Sequence, residues 1–160
     1  MRGLPSWTDL DLPPDGRQSP RALAVQRGVC RLIIRLGYAP LTEVTLASGR
    51  RADVMALGPK GDLLIAEIKT SLADLRADAK WPDYRDFCDR LFFAVPAEFP
   101  REHLPPDAGL MVADGFGAEI LREAPEERLA AARRKAATVR FARAGALRLA
   151  WLADPEASGM

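Results

Sequence analysis

Residues 50–58 read Arg50-Arg51-Ala52-Asp53-Val54-Met55-Ala56-Leu57-Gly58. After Pro59-Lys60-Gly61 the chain returns as Asp62-Leu63-Leu64-Ile65-Ala66-Glu67-Ile68-Lys69-Thr70-Ser71. Two β-like runs flank a turn in which proline presets φ and the closing glycine accepts φ > 0. With a three-residue loop Gly58 faces Asp62, and the same register sets Asp53 opposite Glu67. Directly opposed residues have Cβ atoms roughly 4.5–5.5 Å apart. Two carboxylates at that range repel by about 3 kcal/mol at an effective dielectric near 20. A purely structural hairpin gains nothing from that cost, whereas a divalent-cation site turns the repulsion into attraction. Lys69 follows Glu67 by two residues and projects from the same face, while Ile68 points into the opposite layer. Two acids and an ammonium on one strand face make a candidate metal-dependent phosphodiester-cleaving site. The structural alternative is a surface hairpin in which Glu67 pairs with Lys69 or Arg51.

Working outward, Ser19-Pro20 is a helix start, with Ser19 as N-cap and Pro20 at the first helical position. Val25, Val29, Leu32, Ile33 and Leu36 recur on one helical face, and Gly37 ends the helix. Arg27, Arg31 and Arg35 form a stripe on another face, a pattern that is usually solvated. Residues 41–47 read as a strand leading through Ser48-Gly49 into the Arg50 strand. A three-residue turn there brings Glu43 onto the Asp53 face as a third carboxylate, and a two-residue turn takes it away. Both geometries remain open at this level.

Beyond Lys69, Ser71 and Asp74 form an S-x-x-D variant of the capping box, which predicts a helix to about Ala79. Pro82 biases Trp81 to an extended conformation. A second helical piece carries Tyr84, Phe87 and Cys88. Residues 91–95 are continuously apolar, as in a strand buried on both faces. A Pro-rich connection holds a helical turn near Glu102. Residues 110–113 form another buried strand, and Asp114-Gly115 leads to an edge strand at 118–122. Pro125, Glu126 and Glu127 predict the start of a long Ala/Arg helix, acids first and bases after. A last short apolar helix holds Leu147, Leu149, Trp151 and Leu152. The order predicts an α/β fold with a mixed central sheet flanked by helices. Residues 1–18 read as an irregular arm in which Trp7 and Leu10 are the docking candidates, 19–153 as a single domain, and 154–160 as a tail.

The 160 residues are 48% hydrophobic and 28% charged with a net charge of +1, the composition of an ordinary globular domain. No apolar run approaches the ~20 residues of a membrane span, and the N-terminal stretch has no signal-peptide core. Cys30 and Cys88 do not make a disulfide framework, so a reducing cytoplasm is expected. The single histidine, His103, excludes histidine triads and zinc clusters by inventory. The absence of a Gly-rich phosphate loop argues against ATP-driven activity. Charge is uneven: residues 128–153 carry bases and no acid, while residues 74–89 are rich in aspartate. Arg133, Arg134 and Arg140 are accordingly candidates for a DNA backbone, against an equally weighted solvated face. Only Lys60, Lys69, Lys80 and Lys135 are lysines among the 23 basic residues, which favours a functional reading of Lys80. For Trp81 and Tyr84, core packing outweighs a role in gripping DNA.

Asp53 and Glu67-Ile68-Lys69, on successive strands after a helix and a strand, resemble the core of the PD-(D/E)XK nuclease superfamily. More narrowly, Gly49-Arg50-Arg51-Ala52-Asp53, Glu67-Ile68-Lys69 and Asp78-Ala79-Lys80-Trp81-Pro82-Asp83-Tyr84 resemble the MmcB-like DNA repair proteins of bacteria, over residues 20–150. The resemblance implies a restriction-endonuclease-like αβββαβ core and hydrolysis of DNA phosphodiesters with Mg²⁺ or Mn²⁺. It implies Asp53, Glu67 and Lys69 as catalytic residues. Metal would be held by Asp53, Glu67 and the Ile68 carbonyl, with Glu43 as the third-carboxylate option, and Lys69 would sit at the attacking water. Lys80, Tyr84, Arg133, Arg134 and Arg140 would contact DNA, branched or damaged DNA among the candidates, with repair proteins as further partners. Monomer and dimer both stay open. Two departures stand out. Ala52 replaces the motif's proline, and the first helix has no acid, Gln26 being the nearest analogue of the usual glutamate. They keep in play a catalytically weak or inactive nuclease-fold module that binds DNA or a repair partner.

Overall fold

A computed structural model describes residues 19–159; Trp7 and Leu10, with the rest of the expected arm, lie outside them. Ser19 caps α1 (Pro20–Arg35), its hydroxyl accepting from the Ala22 N–H at 3.1 Å. Six strands follow: β1 (Ala39–Thr45), β2 (Arg51–Leu57), β3 (Leu63–Ile68), β4 (Arg90–Val95), β5 (Gly109–Ala113) and β6 (Ala118–Arg122). They form one mixed sheet in sequence order. β1, β2 and β3 are antiparallel, β3, β4 and β5 run parallel, and β6 returns antiparallel at the edge. The α/β fold with a mixed, helix-flanked sheet is the expected one.

α1 covers one face, packing Val25, Val29 and Ile33 on Val54, Ala56, Leu64, Ala66, Phe92 and Met111. The other face packs Met55, Leu63, Ile65 and Leu91 against Tyr84, Ala137 and Phe141, the last two from α3 (Ala131–Ala153). The short helix α2 (Leu72–Ala77) is N-capped by Ser71, whose hydroxyl accepts from the Asp74 amide at 3.1 Å. No helix of the described residues is long and apolar enough to cross a membrane.

Three local expectations are corrected. Trp81 is not extended. It opens a 3-10 turn (Trp81–Phe87), because its indole meets Phe93 edge-on at 5.3 Å and takes the Arg85 guanidinium over its ring at 4.9 Å. Packing there outweighs the steric bias imposed by the following proline. Residues 125–127 do not start the long helix, which begins at Ala131 with no acid in its first turn. The preceding segment is held in a non-helical path by the Asp89 backbone and carboxylate, which accept from the Glu127 amide at 2.8 Å and the Leu129 amide at 2.9 Å. Finally, Leu147, Leu149, Trp151 and Leu152 belong to α3 itself, not to a separate helix, and residues 155–159 form a further 3-10 turn.

Candidate active site

The hairpin register is the expected one. Leu57 pairs with Leu63 and Val54 with Ala66, and the Gly58 N–H donates to the Asp62 carbonyl at 2.8 Å. The backbone ladder then stops, one pair short of Asp53 and Glu67. The side chains replace the missing ladder bonds: the Asp53 amide donates to Glu67 Oε1 at 3.1 Å, and the Ile68 amide donates to Asp53 Oδ2 at 2.8 Å. The two strands therefore part around a pair of carboxyl groups. Ala52 and Met55 pack in one layer, whereas Val54 and Ala56 pack in the other. Strict alternation would place Ala52 and Val54 together, so the side-chain alternation breaks at Asp53.

The same disturbance crosses to β1. Leu46 and Arg50 close a three-residue turn, with the Leu46 N–H on the Arg50 carbonyl at 2.7 Å. This is the geometry expected to bring Glu43 level with Asp53. Glu43 adopts φ = +50°, and the β1–β2 pairing is interrupted at that position. Left-handed backbone is disfavoured for a non-glycine residue, and here it aims a buried carboxylate along the strand. That carboxylate is engaged: Arg51 Nε lies 2.6 Å from Glu43 Oε2, and Gln26 Nε2 donates to Oε1 at 3.4 Å. Among the described residues no three His, Cys, Asp or Glu side chains converge as a metal-binding group. The option of Glu43 as a third carboxylate on the Asp53–Glu67 pair is thus corrected, and its partner is Arg51.

Asp53 and Glu67 are left facing each other. Glu67 is 2% exposed. Burial is the main cause that raises both carboxyls above the ordinary range, and at Glu67 the Asp53 charge adds to the loss of water. Among the described residues neither is ion-paired.

Lys69 lies beside them, 7% exposed, with its ammonium 2.8 Å from Asp78 Oδ2. The other Asp78 oxygen takes Arg50 at 2.7 Å. Arg50 in turn stacks over the Tyr84 ring at 4.7 Å, and the Tyr84 hydroxyl donates to the Arg51 carbonyl at 3.1 Å. Sequence reasoning singled out neither Asp78 nor Arg50 as site residues. The available signal was their position in the two motifs flanking the hairpin. Ile68 points into the α1 layer as expected.

Asp53, Glu67, Lys69, Asp78, Arg50 and Tyr84 line one cleft of ≈ 550 Å³, to which Ala22, Thr70, Asp74 and Lys80 also contribute. Lys80 is exposed at its rim. Tyr84 is buried, and its hydroxyl is spent on backbone, which makes it a support for Arg50 more than a DNA contact. Arg134 is corrected more firmly. Its guanidinium grips Asp89 through two 2.6 Å bonds and the Gly61 carbonyl at 3.0 Å, which is a structural assignment. Arg133 and Arg140 remain exposed on α3. Arg133 pairs with Asp86 at 3.0 Å, and Arg140 reaches the Thr45 carbonyl at 3.5 Å.

Comparison with known proteins gives two matches. The solved structure of the SPO1766 protein of unknown function from Silicibacter pomeroyi is 48% identical, with a TM-score of 0.83 over 88% of this chain and 95% of that one. No curated protein matches. A family model described as DNA repair protein MmcB-like matches residues 11–156. With nearly the whole chain matched, including the hairpin and the Asp78–Tyr84 segment, the protein belongs to the MmcB-like family of DNA repair proteins.

Proposed function

We propose that this protein is a cytoplasmic, metal-dependent nuclease of the PD-(D/E)XK type that hydrolyses DNA phosphodiester bonds during repair. One observation carries the reading. Two buried carboxyls, Asp53 and Glu67, are held together where the strands part, against their mutual repulsion and with no described cation on them. A fold keeps such a pair at a cost, and ligand binding at the cleft is what offsets it.

The donor set fits a hard divalent cation: two carboxylates, completed by the Ile68 carbonyl, in a cleft open to solvent on one side. Bound there, Mg²⁺ or Mn²⁺ supplies positive charge for the developing phosphoryl transition state and lowers the pKa of water. The chain's own groups do the rest. Asp78 holds the Lys69 ammonium beside Glu67, where it orients an attacking water. Lys80 at the rim is placed to meet a phosphate, and Arg50, fixed by Asp78 and Tyr84, braces the lysine's partner. The test is cleavage of single-stranded, flapped or branched DNA by purified protein with Mg²⁺ or Mn²⁺, expected to vanish in Asp53→Ala and Lys69→Ala. Absence of cleavage on every such substrate rejects the enzyme.

One observation favours a second reading, a non-cleaving module that binds DNA or a repair partner. Glu43 is taken by Arg51, and α1 offers Gln26 in place of an acid, so only two carboxylates remain. Calorimetric titration with Mg²⁺ separates the two: heat that disappears in Asp53→Ala supports the nuclease, and none supports the module.

A further inference from the structure

Phe116 is 84% exposed, the most exposed large apolar side chain among the described residues. Isolated exposed apolar residues are common, but this one is presented by an unusually well-built turn. The Asp114 carboxylate accepts from the Phe116 amide at 2.8 Å and the Gly117 amide at 3.0 Å, and the Asp114 amide donates to the Gly117 carbonyl at 3.0 Å. From α1, Arg31 donates to the Phe116 carbonyl at 3.1 Å and Arg35 to the Ala118 carbonyl at 3.4 Å. Gly28 lets the turn seat this deeply, since a Cβ at that position would overlap the Asp114 and Gly117 carbonyls. Glycine inside a helix costs about 1 kcal/mol relative to alanine. The fold thus spends stability to hold the turn against α1 while leaving its aromatic ring in water.

The turn's location supplies a use. β3, β4 and β5 run parallel, with Ile68, Ala94 and Met111 level across them. The C-terminal end of β3 carries Glu67 and Lys69, and the C-terminal end of β5 runs into the 114–117 turn, so both emerge at the same sheet edge. Two strand spacings, roughly 10 Å, separate β3 from β5, and the turn lies beyond the level of Ile68, so a short run of extended, unpaired strand spans from the ring to the cleft. Arg31 and Arg35 of the helix stripe are exposed next to the ring, and Arg101 is exposed across the neighbouring hollow. An aromatic face beside arginines is the arrangement on which unpaired bases stack while their phosphates are neutralised.

Resting on the nuclease reading for the identity of its ligand as DNA, we infer that Phe116 is a stacking platform for an unpaired base, which makes single-stranded or gapped DNA the preferred ligand over intact duplex. A stacked base held on a rigid turn fixes the strand's register relative to the carboxylate cleft. Arg31 and Arg35 have two duties here, holding the turn and facing the phosphates, so they are unsuitable as first variants. The Phe116 ring is exposed, so its truncation leaves the backbone bonds of the turn in place.

The experiment measures binding of the full chain in EDTA, so that no cleavage intervenes, to single-stranded, gapped and blunt duplex oligonucleotides carrying 2-aminopurine. Phe116→Ala is expected to weaken single-stranded and gapped binding about 5- to 150-fold and to leave duplex binding unchanged. Phe116→Trp restores the affinity and the 2-aminopurine quenching, and Phe116→Leu does not. Equal affinity of wild type and Phe116→Ala, equal loss on all three DNAs, or no DNA binding by the wild type each overturns the inference, the first of these leaving the ring to a protein partner. Because the readout is binding, a protein that stacks DNA through Phe116 but never cleaves it rejects the nuclease alone. One that cleaves but ignores Phe116 rejects this inference alone.

Discussion

Two buried acidic centres, one in the cleft at the end of β3 and one where β3 begins, obey opposite rules. Asp89, 2% exposed, accepts from the Leu63 amide at 2.7 Å and the Leu129 amide at 2.9 Å, and takes the forked Arg134 guanidinium through two 2.6 Å bonds. Burial pushes its carboxyl up, but the Arg134 and backbone bonds outweigh burial and hold it below the ordinary range. Asp53 and Glu67 each accept one backbone amide where Asp89 accepts two, each faces another acid where Asp89 faces an arginine, and both are held above that range. A carboxylate kept for structure is satisfied by the fold. The carboxyls of the cleft pair are held together without such a partner among the described residues.

The comparison breaks most visibly in activity. Asp53→Ala should reduce metal-dependent DNA cleavage to background while the protein stays folded, measured by strand cleavage alongside circular dichroism. Asp89→Ala should do the reverse at the level of stability. It strands two amides and a partly buried guanidinium, and loss of one partner of a buried pair costs about 3–5 kcal/mol. At roughly 2–4 °C per kcal/mol for a chain of this size, the melting midpoint falls by about 6–20 °C. A midpoint unchanged by Asp89→Ala would put the two centres in the same class.

A smaller effect of opposite sign is expected at the cleft. Glu67→Gln removes the repulsion with Asp53 and should raise stability at neutral pH by about 1–2 kcal/mol while cleavage is lost, as relief of an active-site strain does. Urea midpoints of the two proteins measure it.

The pH dependence sharpens the contrast. Asp89 has a depressed folded pKa, so its contribution is present above the ordinary carboxylate range and is lost as pH falls through the lower folded value. The cleft pair has raised folded values, so the folded state holds extra protons, and stability falls as pH rises from the ordinary range through those values. Unfolding titrations should show the alkaline-side slope in the wild type and lose most of it in Glu67→Gln, while Asp89→Asn flattens the acid limb.

The smallest effect concerns α3. Arg133→Ala and Arg140→Ala should lower DNA affinity a few-fold and reduce its salt slope by about one unit each. Arg134→Ala should instead destabilise the fold. Anisotropy titrations across salt concentration, paired with melting curves, separate the neighbours.

Much of this was legible along the chain. The x-Pro-x-Gly turn determines a local register, and register alone opposes Asp53 and Glu67, because strand pairing propagates two residues at a time from a short loop. Ser19-Pro20 and Ser71 mark their helices for equally local reasons. Residues 125–127 misled for the opposite reason: their macrodipole pattern is local, but the bonds that hold the segment away from helix come from Asp89, just before β4. Arg133 and Arg134 are neighbours of one residue type. Only the side chain of α3 turned toward β4 finds Asp89, and nothing in the pair's own sequence distinguishes them.

The sequence by itself determined the succession of elements along the chain, the hairpin register and the acids and lysine that share its face, since these follow from periodicity, turn chemistry and short loops. Only the tertiary structure decided that the ladder parts at Asp53, that Glu43 goes to Arg51, that Asp78 tethers Lys69, and that Phe116 emerges at the same edge. Each of these depends on residues brought together across the sheet or between layers, where burial and charge act through distance in space and sequence spacing carries no record of it.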